Sequence, residues 1–237
     1  MKVGRFMREN ILQEIKSRGI SRLCHFTKSK NLAHILKSFD GILATDNLPE
    51  SYKEVNDNAR YDGKKEYICC SIEYPNVFYL ERVKDNCKLF KDWIILSIDP
   101  KIILDADTIF CKVNAATESG RLIKGGIEGF RELYSNEIST SKRSIHRTDT
   151  MPSSCPTDIQ AEVMILNKIP KEYITEIIVP TEIQAKEEYV RMKILGIKNI
   201  PTIKVCQELF KKNLCDNIRK GNIPKEVIWE DGKKDCI

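Results

Sequence analysis

The chain has 237 residues, 41% of them hydrophobic and 31% charged, with a net charge of +5, the balance of a soluble protein long enough to bury a sizeable core. No apolar run approaches the ~20 residues of a transmembrane helix, and the start lacks a signal peptide's charged-then-apolar order, so the expected location is the cytoplasm. The nine cysteines are odd in number and show no C-x-x-C spacing, which suits a reducing compartment and suggests neither a zinc site nor a disulfide framework.

In chain order, Phe6, Met7, Ile11, Leu12 and Ile15 recur at helical spacing up to Gly19, which predicts a helix over 5–18. Residues 21–27 read as a short strand whose alternation puts Leu23, His25 and Thr27 on one side and Cys24 and Phe26 on the other. A helix follows at 31–37, then Ile42-Leu43-Ala44, then a polar, turn-rich loop over 46–65 that contains Arg60. Strands are predicted at 66–72 and 93–98, around a helical patch at 77–82, with a further strand at 108–113 before Asn114-Ala115-Ala116. Residues 127–134 read as a helix and 139–154 as a basic Ser/Thr loop. Beyond it the pattern predicts strands at 174–179 and 200–205 and helices at 181–195 and 207–219. The expected architecture is a single mixed α+β domain over 1–237.

The stretch Cys155–Leu166 is the most informative. Pro152, Ser153, Ser154 and Pro156 lead into an aliphatic run that reads as a buried strand. Within it Gln160 and Glu162 lie two apart, so the pleat would put both on one face. A carboxylate at the head of an apolar strand is costly unless it is paired or used. Read as unpaired, it is expected to add little to stability. Two clusters concentrate positive charge: eight Lys/Arg in residues 1–30 against Glu9 and Glu14, and Lys142, Arg143 and Arg147 with His146. Either would suit a polyanion, although a solvated surface gives the same pattern.

Neither G-x-x-x-x-G-K-[ST] nor G-x-G-x-x-G after a strand is present, and the three histidines have no metal-ligand spacing. What remains is a set of polar residues near strand ends: His25, Thr27, Arg60, Gln160 and Glu162. Taken singly, His25 reads as a hydrogen-bonded core histidine and Arg60 as a solvated loop residue. As a set they could hold a dinucleotide.

His25-Phe26-Thr27, Asn31-Leu32, Ile35-Leu36 and Gly41-Ile42-Leu43 together resemble the opening of the DarT toxins. The likeness continues through Ser71-Ile72, Pro75-Asn76, Trp93–Leu96, Phe110-Cys111 and Asn114-Ala115-Ala116, and is most specific at Cys155-Pro156-Thr157-Asp158 with Gln160-Ala161-Glu162-Val163. It spans residues 20–180 and leaves 181–237 as an unmatched C-terminal extension. The resemblance implies an ADP-ribosyltransferase fold, a split β-sandwich with flanking helices that grips NAD as substrate. It also implies transfer of ADP-ribose to a base of single-stranded DNA without a metal. By the same resemblance Glu162 and Arg60 are catalytic, and His25, Thr27, Asn31 and Gln160 bind NAD. Lys142, Arg143, His146 and Arg147 would face the DNA, and a macrodomain antitoxin would be the partner. Whether Glu162 or Arg60 polarises the target base stays open. The rival readings are a transferase of the same fold acting on RNA or protein, and a non-catalytic nucleic-acid-binding domain.

Overall fold

A computed structural model describes residues 2–38, 40–49, 62–87, 89–105 and 107–231; Arg60 lies outside them. Helix α1 (Lys2–Arg18) buries Ile11 and Ile15 against the core and ends at Gly19, whose φ of 68° few other residues adopt cheaply. Strand β1 (Leu23–Lys28), helix α2 (Leu32–Lys37) and strand β2 (Ile42–Leu43) follow. Past the polar loop come β3 (Tyr67–Ile72), α3 (Val77–Asn86) and the fully buried β4 (Trp93–Ile98). The middle of the chain forms β5 (Ile109–Cys111), β6 (Ile123–Gly125), α4 (Gly126–Glu132), β7 (Glu137–Ser139) and β8 (Ser144–His146). Then come β9 (Glu162–Leu166), β10 (Lys168–Ile169), β11 (Ile174–Val179), α5 (Glu182–Ile194), β12 (Thr202–Val205), α6 (Leu214–Arg219) and β13 (Val227–Ile228).

Nine strands form one sheet in the order β13-β12-β11-β4-β1-β3-β9-β5-β6. Its decisive feature is in the middle. Strand β1 pairs with β4 along its whole length, from Leu23↔Ile98 to Lys28↔Trp93, but with β3 only at Leu23↔Ile72 and Cys24↔Ser71. Beyond Cys24 the two strands part, and β3 continues its ladder with β9 instead, from Cys70↔Val163 to Tyr67↔Leu166. The sheet is therefore split into two halves, and the split is where a ligand can enter. Apolar clusters cover both faces: Leu23, Ile68, Ile72, Leu96 and Val163 belong to one, and Cys24, Leu80, Trp93, Ile95 and Ile178 to the other. The alternation of Leu23 and Cys24 between them follows the strand's period of two.

Three expectations need correction. The basic stretch 139–154 is not all loop, because β7 and β8 pair as a hairpin from Glu137↔His146 to Ser139↔Ser144. The helix expected over 207–219 is broken: Gln207–Phe210 form a 3-10 turn, Lys211 is extended (φ −111°, ψ 142°), and α6 starts at Leu214. The break lets Leu209, Phe210, Leu214 and Ile218 all reach the same apolar cluster. The third concerns Gln160. It lies in a turn before β9, whose first residue is Glu162, so strand pleating does not relate the two. The C-terminal extension joins the central sheet, with β12 parallel to β11 and β13 antiparallel to β12.

Candidate active site

The split opens into a cleft of about 740 Å³, within the range of small-molecule sites. Both faces of the sheet contribute to its walls: Ile35 and Ile42 from one apolar cluster, Phe26 and Tyr79 from the other side. The structure brings His25, Thr27, Asn31, Gln160 and Glu162 to this one cleft.

His25 sits where β1 and β3 part. Its Nδ1 lies 3.0 Å from the Cys69 carbonyl oxygen, so the imidazole spans the gap that the missing ladder bonds leave. A carbonyl only accepts, so Nδ1 carries the proton in the neutral ring and Nε2 is left as an acceptor. Burial holds the imidazole below its ordinary range, opposed by the bond to Cys69. The neutral ring is thus favoured in the native state, and its contribution to stability is complete above the unfolded value of about 6.5. It is lost as pH falls from there through the lower native value. Replacing His25 with Asn should flatten that acid limb, as read from urea midpoints between pH 7 and 5. An unchanged slope would contradict the assignment.

Thr27 is 6% exposed, and its Oγ1 accepts a hydrogen bond from Asn31 Nδ2 at 3.0 Å. Asn31 stands at the start of α2, so this bond ties the strand to the helix and fixes the rim of the cleft. Cys24 and Cys70 also line the cleft, and burial pushes both thiols well up, to about 12 for Cys24. Neither therefore supplies a thiolate nucleophile at neutral pH.

Glu162 is 8% exposed and not unpaired. Asn114 Nδ2 donates to Oε1 at 3.0 Å and the Ala115 N–H donates to Oε2 at 3.1 Å. Asn114 is itself held, because its Oδ1 accepts from the Ala116 N–H at 3.1 Å. This corrects the expectation of a carboxylate with little part in stability: two donors would lose an ionised partner if it were removed. Sequence reasoning noted Asn114-Ala115-Ala116 as a strand end and missed its role. The signal was an Asn shortly past β5, a residue type that bonds nearby backbone.

The segment before Glu162 is pinned at several points. Arg147 donates to the carbonyls of Cys155 (2.7 Å) and Pro152 (2.5 Å). Thr157 donates through its N–H to Leu133 O (2.9 Å) and through Oγ1 to Ser135 O (2.7 Å). Asp158, 4% exposed, accepts from the Gln160 N–H at 3.0 Å and from Arg143 Nη2 at 2.7 Å. Burial pushes its carboxyl up, against those two bonds. Of the four residues assigned to the DNA-facing set, Arg143 and Arg147 are thus engaged within this segment. Lys142 and His146 are exposed on the β7–β8 hairpin. The N-terminal cluster is also partly internal, since Arg22 is 7% exposed and pairs with Glu226 through both Nη atoms.

Among the described residues no cluster of three His, Cys, Asp or Glu could hold a metal ion, and no helix is long and apolar enough to cross a membrane. Comparison with curated proteins finds no match. Among solved structures, Thermosipho africanus DarTG in complex with ADP-ribose is 19% identical with a TM-score of 0.57, covering 80% of this chain and 51% of that one. This chain thus spans about half of that protein's length. Thermus sp. 2.9 DarT in complex with NAD+ is 14% identical, TM-score 0.58, covering 81% of this chain and 98% of that one. The same protein in complex with ADP-ribosylated ssDNA is 13% identical, TM-score 0.58, with 81% and 97% covered. These likenesses show that this chain shares the fold of those proteins. A sequence profile described as "ssDNA thymidine ADP-ribosyltransferase, DarT" matches residues 24–210, and the chain belongs to the DarT family.

Proposed function

We propose that this protein transfers ADP-ribose from NAD to a thymine base of single-stranded DNA and releases nicotinamide. The observation that carries the reading is Glu162, oriented by Asn114 and Ala115 at the wall of a cleft that His25, Thr27, Asn31 and Gln160 share. The bond from the ribose carbon to nicotinamide breaks, a bond to a base nitrogen forms, and the base loses a proton. The transition state resembles an oxocarbenium ion, so the protein's task is to hold the reactants and stabilise positive charge. Glu162 accepts from a ribose hydroxyl and stabilises that cation, and His25 Nε2 accepts from the NAD. Arg60 shares the catalytic work with Glu162, and one of the two polarises the base. Single strands suit this chemistry because their bases are already unstacked. A cytoplasmic toxin with a macrodomain antitoxin as partner belongs to the same proposal.

Offering wild-type protein NAD together with single-stranded DNA, duplex DNA, RNA and protein tests the substrate class. Label is expected on the single-stranded DNA. Label on RNA or protein alone would favour the rival transferases, and absence of NAD binding by calorimetry would favour a binding domain.

Lys142 and His146 test the DNA contact without disturbing the segment before Glu162. For Lys142→Ala, the salt slope of DNA binding should flatten by about 0.7 for one lost phosphate contact on a single strand. Arg147→Ala should instead cost about 1–3 kcal/mol of stability, since two carbonyls lose their donor. A Lys142→Ala protein with the wild-type slope would place the phosphate elsewhere.

A further inference from the structure

Beside the cleft lies a second cavity of about 170 Å³, below the range of pockets that enclose a whole ligand and suited to a single ring system. Its wall is mostly apolar, with Tyr74, Ile145, Met151, Ile159 and Ile218 among the lining side chains. Phe78, in the first turn of α3, is 43% exposed and lines both this cavity and the cleft. His25, Thr27, Asn31 and Glu162 line the cleft and not the cavity, which is therefore separate from the proposed NAD site. One wall comes from α6, through Cys215, Ile218 and Arg219, beyond the residues 24–210 that the family profile matches.

The same lining carries two guanidinium groups. Arg143, with its side chain 47% exposed, gives one Nη2 donor to the buried Asp158 and so answers that carboxylate's charge. Arg219 donates from Nη2 to the His146 carbonyl at 2.7 Å, which ties α6 to the hairpin. A guanidinium has five N–H donors, more than these bonds use. Lys142 and Lys220, the chain neighbours of the two arginines, are both exposed. The cavity is also close to the site of transfer: Asp158 and Ile159 line it, Gln160 lines the cleft, and Glu162 starts β9. The three residue steps from Ile159 to Glu162 span at most ~11 Å.

Resting on the transferase reading, we propose that this cavity takes a second base of the same DNA strand, next to the target thymine. An aromatic face beside positive charge is the arrangement that holds an unstacked nucleotide. Phe78 supplies the stacking face, the apolar wall encloses the ring, and Arg143 and Arg219 donate to the phosphate that joins it to the target. Seating the neighbour fixes which thymine of the strand arrives at Glu162. Because α6 builds part of the wall, the C-terminal extension takes part in choosing the target.

The test uses oligonucleotides with a single thymine, in which the nucleotide on its 5′ or its 3′ side is replaced by an abasic residue that keeps the phosphate. Wild type should lose roughly ten- to a hundredfold in kcat/KM when the base is missing on one of the two sides, the scale of one lost stacking contact. Cys215→Trp and Ile145→Trp fill the cavity from two different walls, α6 and the hairpin. Each should raise KM for the intact oligonucleotide and react equally well with the intact and the abasic substrate. Both should bind NAD with wild-type affinity by calorimetry, because neither residue lines the cleft. Wild type indifferent to base removal on both sides would overturn the inference alone. So would variants that keep the full preference for the intact strand, or that lose NAD affinity instead. Failure of wild type to mark any oligonucleotide would overturn the transferase reading together with it.

Discussion

Glu162→Gln is expected to lose transfer by roughly a hundred- to a thousandfold, the scale of removing one preorganised electrostatic contact to a transition state. The substitution keeps the shape of the side chain and removes its charge. It does not leave the fold untouched. Asn114 Nδ2 and the Ala115 N–H both donate to this carboxylate, and a Gln amide can accept from only one of them while turning its own NH2 toward the other. A loss of about 1–3 kcal/mol of stability should accompany the loss of activity. Rates must therefore be compared at a temperature where both proteins are folded by circular dichroism. A folded Glu162→Gln protein with a wild-type rate would remove Glu162 from the mechanism.

The second large effect concerns the cleft wall. Gly41 has φ +72°, and a methyl group built on it would collide with the Ile169 carbonyl and stand 2.6 Å from the Lys171 N. Both are backbone atoms of the segment in which β10 pairs with β2, through Ile169↔Ile42 and Lys168↔Leu43. Neither can swing away as a side chain would. Gly41→Ala should therefore cost the left-handed penalty plus a displaced strand, about 3 kcal/mol in all. Because Gly41, Ile42 and Leu43 line the cleft, NAD affinity should fall with stability. Gly196 provides the control. Its φ is +71° with nothing within 4 Å of the added carbon, so Gly196→Ala should cost only about 1–2 kcal/mol and leave NAD binding alone. Equal destabilisation in the two variants would mean that the β2–β10 contact gives way freely.

Elements whose burial is simple were legible from the residues. The run Trp93–Ile98 is apolar and β-branched enough to be a central strand, and it is buried at all six positions. Glu162 stood out because a carboxylate before Val163-Met164-Ile165-Leu166 has to be explained. The hairpin β7–β8 was hidden by its composition, since Ser, Thr, Lys and Arg around a short turn read as loop until the pairing of Ile138 with Ile145 is seen. The split of the sheet was hidden for another reason. Whether β1 pairs with β3 over two residues or six depends on strands about fifty residues apart, and no local pattern encodes it. The partners of Glu162 come from a segment 47 and 48 residues earlier, so its pairing was equally invisible.

The proposed work of this cleft is to join ADP-ribose to a thymine of single-stranded DNA. The most direct measurement is tandem mass spectrometry of an oligonucleotide with one thymidine, after incubation with wild-type protein and NAD. The account predicts one added ADP-ribose on the thymine base, with free nicotinamide released in equal amount and no product in the Glu162→Gln reaction. An unmodified oligonucleotide alongside ADP-ribose on RNA or protein, or a mark on a base other than thymine, would contradict it.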